Sequence, residues 1–94
     1  MKSFNWNEEK NRWLKENLGI GFEDIVFLIS EGNLIEVVKH PSPKYANQLM
    51  FVINLDNYIY LVPFVTDGSE KFLKTIIPSR KATKKDLGGK KDEK

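Results

Sequence analysis

The sequence predicts an α+β domain in which two N-terminal helices pack on a four-stranded antiparallel meander sheet. Three features of the 94-residue chain lead there. Apolar residues at helical spacing up to Ser30 give way to alternation from Leu34, a change of period from 3.6 to 2. Apolar, β-branched runs then follow one another with short connections, the order of a meander rather than of crossovers. The length suits one hydrophobic core and not two. One domain is therefore expected over residues 1–87, with residues 88–94 as a flexible basic tail.

The elements follow in order. Residues 1–6 place Phe4 and Trp6 on one side and Ser3 and Asn5 on the other, which marks a short strand. Asn7 is a good N-cap, and Glu8 and Glu9 sit favourably against the positive end of the dipole of a helix over Glu8–Asn17. Glu8–Arg12 and Arg12–Glu16 are i,i+4 opposite-charge pairs, and Trp13 and Leu14 are expected to face the core. Gly19 supplies a C-terminal cap. A second helix over Phe22–Ser30 carries Phe22, Ile25, Val26 and Ile29 as one apolar stripe, and Glu31-Gly32-Asn33 stops it.

Strands are expected over Leu34–Lys39 and residues 48–55, 58–65 and 71–77. His40-Pro41-Ser42-Pro43 interrupts the first two, since proline disfavours regular pairing around it. Asp56-Asn57 is a two-residue hairpin turn whose residues tolerate positive φ. It sets Leu55 opposite Tyr58, Ile53 opposite Tyr60 and Phe51 opposite Val62 on one face, with Val52 opposite Leu61 and Met50 opposite Pro63 on the other. Both faces are mostly apolar, which puts this hairpin mid-sheet. Pro63 is out of place there and predicts a bulge or an unpaired position. Pro78 ends the last strand, and a short helix is expected over residues 82–87 before Gly88-Gly89.

Composition narrows the chemistry. With no cysteine, disulfides, thiolate metal sites and thiol nucleophiles are excluded. A single histidine, His40, excludes a multi-histidine metal centre. No apolar run nears the 18 or so residues of a membrane span, and no apolar signal region opens the chain, so a soluble, cytoplasmic protein without a membrane partner is expected. The net charge of +2 conceals an asymmetry. Residues 1–78 hold eight Lys/Arg against ten Asp/Glu, and residues 79–94 hold seven against three. A basic end attracts polyanions such as nucleic acid, although the last eight residues also read simply as a solvated lysine-rich tail.

There is no Walker loop, GxGxxG, GxSxG or HExxH motif, and the acidic residues are scattered, so neither a metal nor a cofactor is expected. What remains is a basic and aromatic set near strand ends. Lys39, His40, Lys44 and Tyr45 flank the proline loop; Lys71, Lys74, Arg80 and Lys81 lie on or after the last strand; Tyr58 and Tyr60 offer hydroxyls or ring faces. Metal-free RNA cleavage needs this inventory. A base takes the ribose 2′-OH proton, cations stabilise charge on the phosphate, and an acid protonates the leaving 5′-oxygen, while aromatic rings stack unpaired bases. The candidates for catalysis are His40, Lys74 and Arg80, with Arg80 as a bidentate phosphate clamp. Those for RNA binding are Lys39, Lys44, Tyr45, Tyr60 and Lys81. Each has a plainer reading: His40 as an exposed strand-end residue, Lys74 as a lysine whose stem lies on apolar surface while its ammonium reaches water.

The segments Trp6-Asn7-Glu8-Glu9-Lys10, Gly19-Ile20-Gly21-Phe22-Glu23-Asp24 and Ile76-Ile77-Pro78-Ser79-Arg80-Lys81-Ala82 together resemble the BrnT-like toxins, RelE-related ribonucleases of bacterial type II toxin–antitoxin pairs. In that family a Trp-Asp-x-x-Lys element precedes a Gly-hydrophobic-small-Phe-acidic-acidic turn, and the last strand ends in Ile-Ile-Ser-Ala-Arg-Lys-Ala. The similarity covers about residues 4–85. This chain departs from it at Leu14, where the family usually has Asn, and at Asn17 and Leu18, where it has a basic/His pair. The resemblance implies a metal-independent endoribonuclease that cleaves mRNA and arrests growth, with Arg80 carried over directly. It further implies a small, DNA-binding, autoregulatory antitoxin and a toxin–antitoxin hetero-oligomer. The alternative from the residues themselves is a non-catalytic RNA- or protein-binding module that uses the same basic strand end.

Overall fold

Asn7 begins the ordered helical part of the chain by accepting the Lys10 N–H on its side-chain oxygen at 2.9 Å, which satisfies one of the unpaired donors at a helix start. In the computed structural model, which describes residues 3–83, a short strand β1 (Ser3–Trp6) precedes this cap, and helices α1 (Glu8–Asn17) and α2 (Phe22–Ser30) follow it. Then come β2 (Leu34–Lys39), a 3₁₀ turn (Pro43–Tyr45), β3 (Leu49–Leu55), β4 (Tyr58–Asp67), β5 (Glu70–Leu73), β6 (Ile77–Pro78) and a short helix α3 (Arg80–Thr83). The expected tail at residues 88–94 and the far end of the expected 82–87 helix lie outside the described residues. No described helix is long and apolar enough to cross a membrane.

The class is α+β, but the sheet is mixed and has six strands, not a four-stranded antiparallel meander. Its order is β1-β5-β4-β3-β2, with β6 also paired to β4. Strand β1 lies parallel to β5, Ser3 opposite Glu70 through Trp6 opposite Leu73. A local signal in four residues marks a strand but not its distant partner. Between β3 and β4 the pairing is that set by the Asp56-Asn57 turn, from Leu55 opposite Tyr58 to Met50 opposite Pro63. Both turn residues have positive φ, 54° and 65°.

One face of β3 and β4 presents Phe51, Ile53, Val62 and Phe64, which share a buried cluster with Leu14 of α1, Phe22 and Ile25 of α2, Leu73 and Ile76. The Phe51 and Phe64 rings stack with centroids 4.1 Å apart. Phe4 and Trp6 of β1 join this cluster against Phe51 and Phe22. The opposite face carries Met50, Val52, Ile59 and Pro63, also buried.

Pro63 explains a second correction. Residues 71–77 were expected as one unbroken strand ended by Pro78; instead β5 stops at Leu73 and pairing resumes in β6 at Ile77. The Pro63 carbonyl accepts from the Lys74 N–H at 2.8 Å. In a strand, a residue's carbonyl and nitrogen point to the same neighbour, so the Pro63 nitrogen faces this same segment with no proton to offer. The register then slips: Phe64 is opposite Leu73, but Leu61 is opposite Ile77. Three steps along β4 match four along its partner, which is a β-bulge at residues 74–76. Pro78 lies within β6, opposite Tyr60.

A third correction concerns α1. Trp13 does not face the core; it is 53% exposed and lies beneath the Lys10 ammonium at 4.8 Å. The inward stripe is Asn11, Leu14 and Leu18, at i, i+3 and i+7, and Trp13 lies about 100° off it. Asn11 is 2% exposed. Its oxygen accepts the Phe22 N–H at 2.7 Å and its amide donates to Glu23 Oε2 at 3.0 Å, so one side chain ties the start of α2 to α1. A Cβ on Gly21 would come within 2.7 Å of that Asn11 oxygen, so glycine is needed there for the close approach. Among the described residues neither Glu8–Arg12 nor Arg12–Glu16 forms an ion pair; the one that forms joins the helices, Lys15 to Glu23 at 3.2 Å.

Two predictions follow from the Asn11 junction. Asn11→Ala leaves the buried Phe22 N–H without its acceptor and is expected to cost about 2 kcal/mol, read as a lower urea midpoint at unchanged slope. The hydrogen bond from Asn11, aided by Lys15, holds the Glu23 carboxyl below its ordinary value of 4.5. A depressed carboxyl stabilises the fold above its unfolded value and loses that contribution as pH falls through the folded one. The stability gap between wild type and Glu23→Gln should therefore be full at pH 7 and close below pH 4.5; a gap independent of pH would contradict this assignment.

Candidate functional site

The bulge opens a concavity on the sheet face that carries Met50 and Pro63. Its floor and one wall come from Pro63, Lys74, Thr75 and Ile77, and the other wall from His40, Tyr45 and Gln48, enclosing about 320 Å³. That size is at the small end for ligand pockets. The proline loop supplies the second wall because it is clipped to the sheet: the His40 N–H donates to the Gln48 carbonyl at 3.1 Å and the Gln48 N–H to the Tyr45 carbonyl at 2.9 Å. Ser42 caps the 3₁₀ turn, its hydroxyl accepting from the Lys44 N–H at 3.2 Å.

Three of the residues singled out from the sequence meet here: His40, Tyr45 and Lys74. The His40 and Tyr45 rings lie 4.8 Å apart at 52°, a tilted aromatic pair. His40 Nδ1 accepts the Ser42 N–H at 3.2 Å, so the neutral imidazole carries its proton on Nε2 and offers it as a donor. Lys74 is exposed, with its ammonium 5.3 Å from the Phe72 ring centroid. Lys44 stands at the loop's outer side, 5.8 Å over the Tyr45 ring.

The other sequence candidates lie elsewhere. Lys39 is exposed at the end of β2, opposite Leu49. Tyr60 faces the other side of the sheet by register, opposite Ile53, with its ring 5.3 Å from that of Tyr58. Arg80 and Lys81 are exposed in α3. Two hydrogen bonds at Ile59 fix that helix: the Ser79 N–H donates to the Ile59 carbonyl at 3.0 Å, and the Ile59 N–H to the Thr83 hydroxyl at 2.8 Å. Ile59 is four residues along β4 from Pro63, roughly 13 Å at the strand rise. Arg80 is not among the residues that line the concavity.

Gln48, Thr75 and Ile77 were not anticipated. For Thr75 the signal was the proline opposite, since a bulge forces side chains of its partner segment out of regular alternation. Gln48 gave none beyond being polar at a strand start. Among the described residues, no side-chain hydrogen bond or ion pair engages the Gln48 amide, the Thr75 and Tyr45 hydroxyls or the Lys74 ammonium. No group of three His, Cys, Asp or Glu among those residues could hold a metal ion. Comparison with known proteins gives no match: no protein-family model, curated protein or solved structure matches the chain.

The Nδ1 assignment can be checked directly. Nitrogen-15 NMR of neutral His40 should show the Nε2–H tautomer in excess, and Ser42→Pro, which removes the N–H, should reduce that excess. Equal tautomer populations in the wild type would remove the orienting role of Ser42.

Proposed function

We propose that the protein is an RNA-cleaving toxin of the BrnT-like kind, acting without metal at the concavity beside Pro63 and held in check by a small DNA-binding antitoxin. The observation that carries this reading is the meeting of His40, Tyr45 and Lys74 from two separate chain segments around one cavity. The motifs at Trp6, Gly19–Asp24 and Ile76–Ala82 support the same reading.

In this reading an unpaired base stacks on the Tyr45–His40 pair, and the adjoining phosphate lies against the Lys74 ammonium and the His40 Nε2–H. Both groups stabilise the charge that grows on the phosphate as the 2′-oxygen, its proton passing to solvent water, attacks phosphorus and the P–O5′ bond breaks. His40 can then pass its Nε2 proton to the leaving 5′-oxygen from the imidazolium form, which must first give up the Ser42 bond on Nδ1. Arg80 and Lys81 hold the strand further along by its phosphates rather than at the scissile bond. The Nδ1 engagement also favours a second reading, a module that binds RNA without cutting it, because neutral His40 is then a donor with no free lone pair to act as base.

Induced expression in bacteria separates the two. The wild-type chain should arrest growth and create new transcript ends. Lys74→Ala should lower cleavage by about 10²–10³, the usual effect of losing one group that stabilises transition-state charge, whereas Arg80→Ala should weaken binding with a smaller effect on the bound rate. A soluble, folded wild type that neither arrests growth nor cuts RNA, yet retains RNA affinity, would establish the second reading.

A further inference from the structure

Among the described residues, three polar groups around the cavity make no side-chain hydrogen bond or ion pair. Helix caps, turns and the junction at Asn11 all spend their side chains on the fold. The Gln48 amide and the Thr75 hydroxyl do not, and the Lys74 ammonium has only the Phe72 ring beside it, although all three residues line one 320 Å³ space. Polar groups gathered in a partly enclosed pocket and left uncommitted are set to be satisfied by a ligand. The space sets that ligand's size at one nucleotide, and the lining sets its shape. Pro63 and Ile77 offer flat apolar surface, and His40 and Tyr45 offer rings. A planar heterocycle fits between such walls, with an anion at Lys74.

We propose that this cavity is a single-nucleotide slot in which Gln48 reads the edge of the base. A carboxamide presents a donor and an acceptor side by side and pairs bidentately with adenine at N6 and N7; the Thr75 hydroxyl is the second polar group able to meet the base or ribose. Gln48 suits the task because its backbone is held at both ends, its N–H by Tyr45 and its carbonyl by His40. The base of the side chain is thereby held in place, and its amide makes no hydrogen bond among the described residues. Tyr45 supplies stacking that is indifferent to sequence, Lys74 the phosphate contact, and Gln48 the choice of base. The inference rests on the RNA reading of the same site, and sharpens it from a class of polymer to one recognised position in the strand.

The test uses the purified full chain and the four nucleoside 5′-monophosphates, with binding followed by calorimetry and by amide shifts of residues 40–48 and 74–77. Adenosine monophosphate should bind best, by roughly tenfold over the weakest of the four. Gln48→Ala should level the four affinities, and Lys74→Ala should lower all four together while keeping their order. Gln48→Glu retains the size of the side chain and should also lose the order, which guards against an effect of truncation alone. Failure of the RNA-cleavage reading looks different: the selectivity and its loss in Gln48→Ala would persist in a protein that never cuts RNA. The inference is overturned if the four monophosphates bind equally to the wild type, if the order survives in Gln48→Ala, or if the shifts fall outside these two segments.

Discussion

The structure turns on an absence at one atom, the missing amide proton of Pro63. Because the Pro63 carbonyl accepts from Lys74, its nitrogen is directed at the same neighbouring segment, and a regular ladder there would leave an acceptor without a donor. The chain resolves this by inserting one extra residue opposite β4 before pairing resumes at Ile77. The gap in the ladder is also the floor of the cavity. Loss of one hydrogen bond and gain of one concave site are therefore the same event in the backbone.

The rest of the fold holds that event in place. On one face, Phe51, Phe64, Val62 and Ile53 share their core with Phe22, Ile25 and Leu14, so β3 and β4 are fixed by apolar packing. At the helix junction a polar residue does what an apolar one could not. Asn11 is buried because the first N–H of α2 needs an acceptor, and Gly21 lets α2 come close enough to use it. The proline loop and α3 are fastened by hydrogen bonds to the backbone of Gln48 and Ile59. Rigid backbone with uncommitted side chains is the arrangement that binding needs, since little order then remains to be imposed by the ligand.

Much of this was legible in the sequence, and the parts that were not have physical reasons. Both long helices and the register of the β3–β4 hairpin follow from local rules: an N-cap, a stripe at 3.6, a turn of two residues tolerating positive φ. The parallel pairing of β1 with β5 does not, because nearly seventy residues separate the partners and a four-residue strand encodes no address. Pro63 announced a bulge, yet the break it causes falls on the other strand, where Lys74-Thr75-Ile76 looks like uninterrupted β. Trp13 was misjudged, and Asn11 passed over, for one reason: hydrophobicity was read residue by residue, whereas burial at a helix crossing is decided by angle and by which backbone groups need partners. Of the residues that line the cavity, His40, Tyr45 and Lys74 had been singled out by their chemistry. Arg80 is only six residues from Lys74, but β6 and the fastening at Ile59 carry it away along β4.

The bulge also has a bearing on how such a site could come and go between generations. The extra residue lies between two stretches whose faces are already set, Leu73 inward and Ile77 on the cavity side. Removing the codon for Thr75 alone would bring the two strands back into step without turning any remaining side chain to the opposite face. The apolar side chains would keep their faces, at the cost of one carbonyl left opposite the Pro63 nitrogen, while the cavity would lose one of its polar groups and its depth. A site founded on a single-residue offset is thus one in-frame deletion from disappearing, and a sheet that carries a proline in this place is one insertion from acquiring it.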